Sequence, residues 1–268
     1  MLPVAEREYM NVAGITGPLI IVDGVKGVGY GELVEIRTPA GEIRIGQTLE
    51  VDEDRAVVQV FEGTTGLSQK NMRTVFLGKT LEIPVHRDML GRIFDGLGRP
   101  IDDAPQVVSD IMRDVNGLPI NPYSREYPRD FIQTGISAID GMNTLIRGQK
   151  LPVFSGSGMP HNRIAAQIAK QARILTAEEE FTVVFAAMGV KFDVAWFFIN
   201  SLEESGVLDN SAIFLSLANS PSIERIITPR AALTLAEYLA YDLELHVLVI
   251  LTDMTNYCES LRELSSSR

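Results

Sequence analysis

Residues 154–162 read Phe-Ser-Gly-Ser-Gly-Met-Pro-His-Asn, the spacing of a phosphate-binding loop with its chemistry removed. Such a loop joins a buried strand to a helix as Gly-x-x-x-x-Gly-Lys-Ser/Thr. Its amides cradle phosphates, its lysine reaches the outer ones and its hydroxyl holds magnesium. Here Val153 falls on the first glycine, Met159 on the lysine and Pro160 on the hydroxyl. Ser155, Gly156, Ser157, Gly158 and Asn162 remain as the loop remnant. Amides at a helix start still attract anions. However, Pro160 removes one donor, and Met159 offers no charge to offset buried phosphate. The loop is expected to cap its helix and pack a neighbour, without holding ATP tightly.

Ligands of an open parallel sheet sit at the carboxyl ends of its strands. One such end is Gly189-Val190-Lys191. A hydrolase needs a carboxylate there to orient water, and Val190 cannot serve. Lys191 reads as a solvated helix start. Another end is Asp253, which closes the apolar run His246–Leu251 in the manner of a Walker B carboxylate. Magnesium at such a site uses carboxylate, hydroxyl and phosphates together. With no hydroxyl at 160, Asp253 is read as structural, or as a cap for a helix over Thr255–Leu264. His86, His161 and His246 are scattered and Cys258 is the only cysteine, so no zinc site is expected. Ser155-Gly156-Ser157-Gly158 lacks the spacing of a nucleophile elbow.

The elements that must position these residues change type along the chain. Over residues 11–83, strands are expected at Leu19–Val22, Leu33–Arg37, Glu42–Ile45, Ala56–Phe61 and Thr74–Leu77, with glycines between them. That pattern predicts a small barrel or sandwich. Gly27-Val28-Gly29-Tyr30-Gly31 reads as a turn, because no helix pattern follows it. Residues 84–149 are proline-rich and read as a connector wrapped over a surface. Ile93, Phe94, Ile101, Ile120 and Phe131 are expected to be buried there, and a short element is expected near Phe131–Met142. From residue 150 strands and helices alternate. The expected order is a strand at Lys150–Phe154, a helix from Pro160, a strand at Phe181–Met188 and a helix bearing Phe192, Ala195, Ile199 and Leu202. A strand at Ala212–Leu217 follows, then a helix capped by Thr228 with Pro229 in first position, then the strand at His246–Leu251. Such alternation implies a mainly parallel sheet covered on both faces.

Composition bounds the function. The 268 residues, 46% apolar and 22% charged, describe a globular chain. A net charge of −11 argues against a nucleic-acid footprint and against anionic lipid. One cysteine allows no internal disulfide and suits a reducing compartment. No run approaches the ~20 apolar residues of a membrane span, and the acidic N-terminus does not resemble a secretory signal.

Together, several segments resemble the B subunit of the rotary V/A-type ATPases in its prokaryotic form. They are Gly17-Pro18-Leu19, Val57–Thr65, Met89–Asp102, Phe131–Asp140, Arg147–His161, Ile223–Arg230 and His246–Cys258. The Ser-Gly-Met-Pro-His-Asn loop points to B over the catalytic A subunit. The resemblance implies an N-terminal β-barrel crown over residues 1–80. Residues 81–268 would hold a connector and a RecA-like nucleotide-binding-type domain, incomplete at its C-terminus. The family's helical domain and arginine finger would lie beyond this stretch, so neither Arg262 nor Arg268 takes that role. The implied partner is a catalytic A subunit in an alternating hexamer, with central rotor and peripheral stalk subunits around it. ATP or ADP with magnesium would sit at the A–B interface, with no cofactor held tightly by this chain alone. The implied work is proton or sodium transport from the cytoplasmic face, with attachment to the membrane through other subunits. Two further readings are a self-sufficient P-loop ATPase with a degenerate loop, and an interaction protein that no longer joins the motor. An unfinished parallel sheet would leave an unpaired edge, so the isolated chain is expected to aggregate.

Overall fold

Short strands separated by glycine turns roll the N-terminal stretch into one sheet. The computed structural model describes residues 6–117, 119–124, 127, 129–156, 158–174 and 181–267. Seven antiparallel strands come first: β1 (Arg7–Tyr9), β2 (Val12–Thr16), β3 (Leu19–Asp23), β4 (Leu33–Arg37), β5 (Ile43–Asp52), β6 (Arg55–Val60) and β7 (Arg73–Phe76). Their order is β1-β7-β4-β5-β6-β3-β2. The two edge strands are consecutive in sequence, so the chain itself crosses the seam. Thr74 donates its hydroxyl to Tyr9 O at 3.1 Å on one side. Asp23 donates its amide to Asn11 O at 3.0 Å on the other.

Strand alternation turns Ile20, Val22, Val34, Ile36, Val58, Val60 and Phe76 into a shared core. Each such side chain contributes about 1.5–3 kcal/mol of burial. Buried Glu32 accepts the amides of Gly29 at 2.8 Å and Gly78 at 2.7 Å. It thereby pins the glycine-rich turn before β4 to the chain after β7. The Gly27–Gly31 stretch is a turn, as its sequence context implies.

The next elements are β8 (Glu82–Pro84), β9 (Ile93–Asp95), β10 (Met112–Asp114), β11 (Phe131–Gln133), α1 (Ser137–Met142), β12 (Leu145–Ile146), α2 (His161–Gln171) and β13 (Arg173–Ile174). They are followed by β14 (Phe181–Val190), α3 (Phe192–Glu204), β15 (Ser211–Leu217), α4 (Ser222–Glu237), β16 (His246–Thr252) and α5 (Met254–Ser267). A parallel four-stranded sheet runs β16-β14-β15-β9. Val183 to Met188 are fully buried, as a central parallel strand requires. Ala166 and Ala169 of α2 and Ala195, Phe198 and Leu202 of α3 pack with Val183, Phe185 and Ile213.

The chain divides into two compact units. Residues up to Glu82 with Ser220–Ile226 and Thr255 onward form one, and Ile83–Asn219 with Ile227–Met254 form the other.

Four expectations are corrected. Ile93–Asp95 lies in the expected connector, yet it is the parallel partner of Ile213–Leu215 and an edge of the sheet. Only Phe94 of that group is deeply buried, stacked on Phe214 at 5.3 Å, whereas Ile101 and Ile120 are exposed. Thr228-Pro229 does not open a helix: α4 begins six residues earlier, at Ser222, and carries Pro229 in its interior. The start signal is Pro221, whose carbonyl accepts the Glu224 amide at 3.1 Å. Phe192 does not share the buried row of α3. That row is Ala195, Phe198, Ser201 and Leu202, and Phe192 points to solvent.

Candidate functional site

The expected strand at Lys150–Phe154 does not form, and residues 150–156 have no regular structure. Pro152 sits at its centre and has no amide to donate to a ladder. Val153 is 52% exposed and Phe154 92% exposed. The helix after the loop does form, as α2, beginning at His161.

The loop is closed by its own bonds. Met159 donates its amide to Gly156 O at 3.2 Å, and His161 donates to Met159 O at 2.9 Å. Pro160 occupies the N-cap without a side-chain bond, and its carbonyl accepts Arg163 at 3.1 Å and Ile164 at 3.3 Å. The Ser155 hydroxyl lies 3.2 Å from His161 Nδ1. Gly158 has φ of +81°, a conformation side-chain-bearing residues rarely adopt. Gly156 has no such constraint, and a Cβ there would meet only Met159 Cγ at 4.0 Å. Ser157 lies outside the described residues, and Asn162 is the second residue of α2. Two amides that a phosphate would need are therefore engaged inside the loop, and positions 159 and 160 carry neither cation nor hydroxyl.

The carboxyl ends of β14 and β16 lie side by side. Ala187 pairs with Thr252, so Val190, the last residue of β14, and Asp253, just after β16, stand at the same end of adjacent strands. Val190 is buried with Ala195 and Leu215, and its carbonyl accepts the Ala218 amide at 2.8 Å. It is a core residue at this strand end and carries no acid. Asp253 follows a cis peptide bond from Thr252 and immediately precedes α5. Lys191 is the exposed N-cap of α3, without a side-chain cap bond. At the opposite end of β16, His246 Nδ1 lies 3.0 Å from Arg147 Nη1, and Arg147 Nε lies 3.3 Å from Asp130. Among the described residues no three His, Cys, Asp or Glu side chains are grouped to hold a metal ion. No helix among them is long and apolar enough to cross a membrane.

Sequence reasoning missed the clasp around β9. Arg92 Nε and Nη2 reach Asp102 Oδ2 and Oδ1 at 2.5 and 2.9 Å, and Nη2 also donates to Pro105 O at 2.9 Å. The guanidinium holds the Asp102 carboxyl at about 2, below its ordinary 3.8, with the Ile93 and Ala104 amides adding to the effect against burial. Asp95 likewise takes Arg99 at 2.7 Å. The alternation Arg92, Asp95, Arg99, Asp102 was the available signal, because each pair closes one turn of the same hairpin.

A barrel-like antiparallel sheet followed by a parallel α/β sheet, with a glycine loop opening a helix, gives a two-part protein whose second part has the α/β layout of nucleotide-binding folds. The ATP synthase alpha/beta family beta-barrel domain matches residues 12–78, and the nucleotide-binding domain of the same family matches residues 135–268. The chain belongs to the ATP synthase alpha/beta family, whose members are subunits of rotary ATPases.

Proposed function

We propose that the chain is the non-catalytic B subunit of a rotary V/A-type ATPase. It contributes to an A–B interface in the hexameric head that couples ATP hydrolysis or synthesis to proton or sodium transport. The observation that carries this reading is the coherent loss of three groups from a retained scaffold. Met159, Pro160 and Val190 replace lysine, hydroxyl and acid, while Gly158, α2 and the parallel β14 and β16 remain. The loop does not fit magnesium-bound triphosphate on its own, because its amides close on Gly156 and Met159. On this reading ATP or ADP with magnesium binds at the interface with the A subunit, which supplies the missing groups. Central and peripheral stalk subunits complete the assembly at the cytoplasmic face of a membrane.

Titration of the purified chain with ATP and magnesium tests the reading. The expected result is no micromolar binding and no turnover, with stable association when the A subunit is added. Micromolar affinity with turnover would establish a self-sufficient ATPase. Failure to join the A subunit would support an interaction protein outside the motor.

A further inference from the structure

Helix α3 has two unlike faces. Ala195, Phe198 and Leu202 pack on the sheet side. On the other side Phe192 is 71% exposed, Trp196 54% and Phe197 38%. The Phe192 and Trp196 rings lie nearly parallel, 11° apart with centroids at 6.3 Å. Helical periodicity sets Phe192, Trp196 and Glu203 in one row and Asp193, Phe197 and Glu204 in the next. No basic residue occurs between 192 and 204. Lys191, at the N-cap, is the one cation in the stretch 191–204, against three exposed acids.

Single exposed apolar side chains are ordinary, but three aromatics on two turns of one helix form a patch. Tryptophan is enriched at the energetic centres of interfaces. We propose that this face docks a basic segment of the A subunit in the ATPase head. One arginine or lysine of that segment sits over the Phe192–Trp196 pair, and a second, about 10 Å further along the helix, meets Glu203 and Glu204. The proposal rests on reading the chain as a subunit of a multi-subunit head. Aromatic faces attract cations, guanidinium most often, and the acids select the same sign. A second copy of this chain is the wrong occupant. A two-fold contact would set the same acidic rows against each other, and like charges across an interface are unfavourable.

Trp196 is the only tryptophan, so it can carry a single-site label. The full chain is made with 5-fluorotryptophan and mixed with unlabelled A subunit from the same source, and assembly is followed by size exclusion. The expected result is one fluorine resonance that shifts on assembly and loses its sensitivity to exchanging H2O for D2O. Assembly with an unchanged resonance overturns the docking but leaves the subunit reading intact. No assembly at all overturns both. A resonance that moves with the concentration of the chain alone points to a second copy and overturns the proposed occupant. Glu203→Arg with Glu204→Arg should weaken partner binding about tenfold, with the resonance of the free chain unchanged. Equal affinity in that variant overturns the basic character of the partner segment.

Discussion

Asp102 shows how one side chain can hold a hairpin that sequence patterning leaves irregular. Its carboxylate takes two bonds from Arg92 and the amides of Ile93 and Ala104. The side chains are 19% and 16% exposed, so water screens the pair little. A carboxyl lowered from 3.8 to about 2 corresponds to about 2 kcal/mol, at ~1.4 kcal/mol per tenfold change in proton affinity. The folded value lies below the unfolded one. The contribution is therefore complete above the unfolded value and is lost as pH falls through the folded one. Asp102→Asn should cost about 2 kcal/mol at neutral pH. The gap to the unmodified chain should narrow as pH falls from 3.8 to about 2. Urea melts across that window check it, and a gap independent of pH would refute the charge argument. Asp140 is a second clip of this kind. Burial pushes its carboxyl up, but bonds from the Thr134 hydroxyl and the Thr134 and Gly135 amides outweigh this and hold it low.

Close approach of backbones, more than turn geometry, makes one barrel glycine indispensable. A Cβ on Gly46 of β5 would lie 2.7 Å from Gln59 O and 2.8 Å from Val58 Cγ1. The obstructing oxygen belongs to the neighbouring strand and cannot rotate away. Gly46→Ala should cost about 1–3 kcal/mol, the usual range for overpacking. Gly14→Ala, whose Cβ would stop 3.6 Å from Ile21 Cδ1, should melt like the unmodified chain. Equal melting of the two variants would overturn the argument. Elements of this sheet were legible where side chains alternate, as in β3, β4, β6 and β7. Only Ile43–Ile45 of β5 was legible, because Gly46–Asp52 is polar and its strand state depends on β4 and β6. The runs of β14 and β15 were legible because burial on both faces demands continuous apolar sequence, and β16 because its run is equally apolar though half-buried. Prolines misled in both directions. Pro152 interrupts an expected strand, whereas Pro229 is carried inside α4 where a helix start was expected. The helix after the glycine loop and the two strand ends could be read from spacing. The clasp at Asp102 left only the alternation of Arg92, Asp95, Arg99 and Asp102 as a signal, because its pairing depends on a hairpin that brings together residues ten positions apart.

At the scale of the whole molecule, net charge and sheet edge act against each other. The parallel sheet has two edges. β9 is three residues long, and Phe94 bridges back to Pro100, so its chain folds over itself. β16 is seven residues long, with half-buried Val247 to Leu251 and, among the described residues, pairing to β14 on one side only. A long apolar edge is a template for another strand. Strands pair at ~4.8 Å, whereas a charge of −11 repels copies over roughly a Debye length. That length is about 30 Å at 0.01 M salt and about 8 Å at 0.15 M. Repulsion should keep copies apart at low salt and admit edge contact at high salt. The isolated chain should therefore scatter more light as sodium chloride rises. Val249→Lys, which places a charge on the edge strand, should suppress that rise, while Val249→Thr, which keeps a β-branched side chain, should not. Scattering that ignores salt, or that is unaffected by the lysine in a chain with unchanged circular dichroism, would remove β16 as the contact.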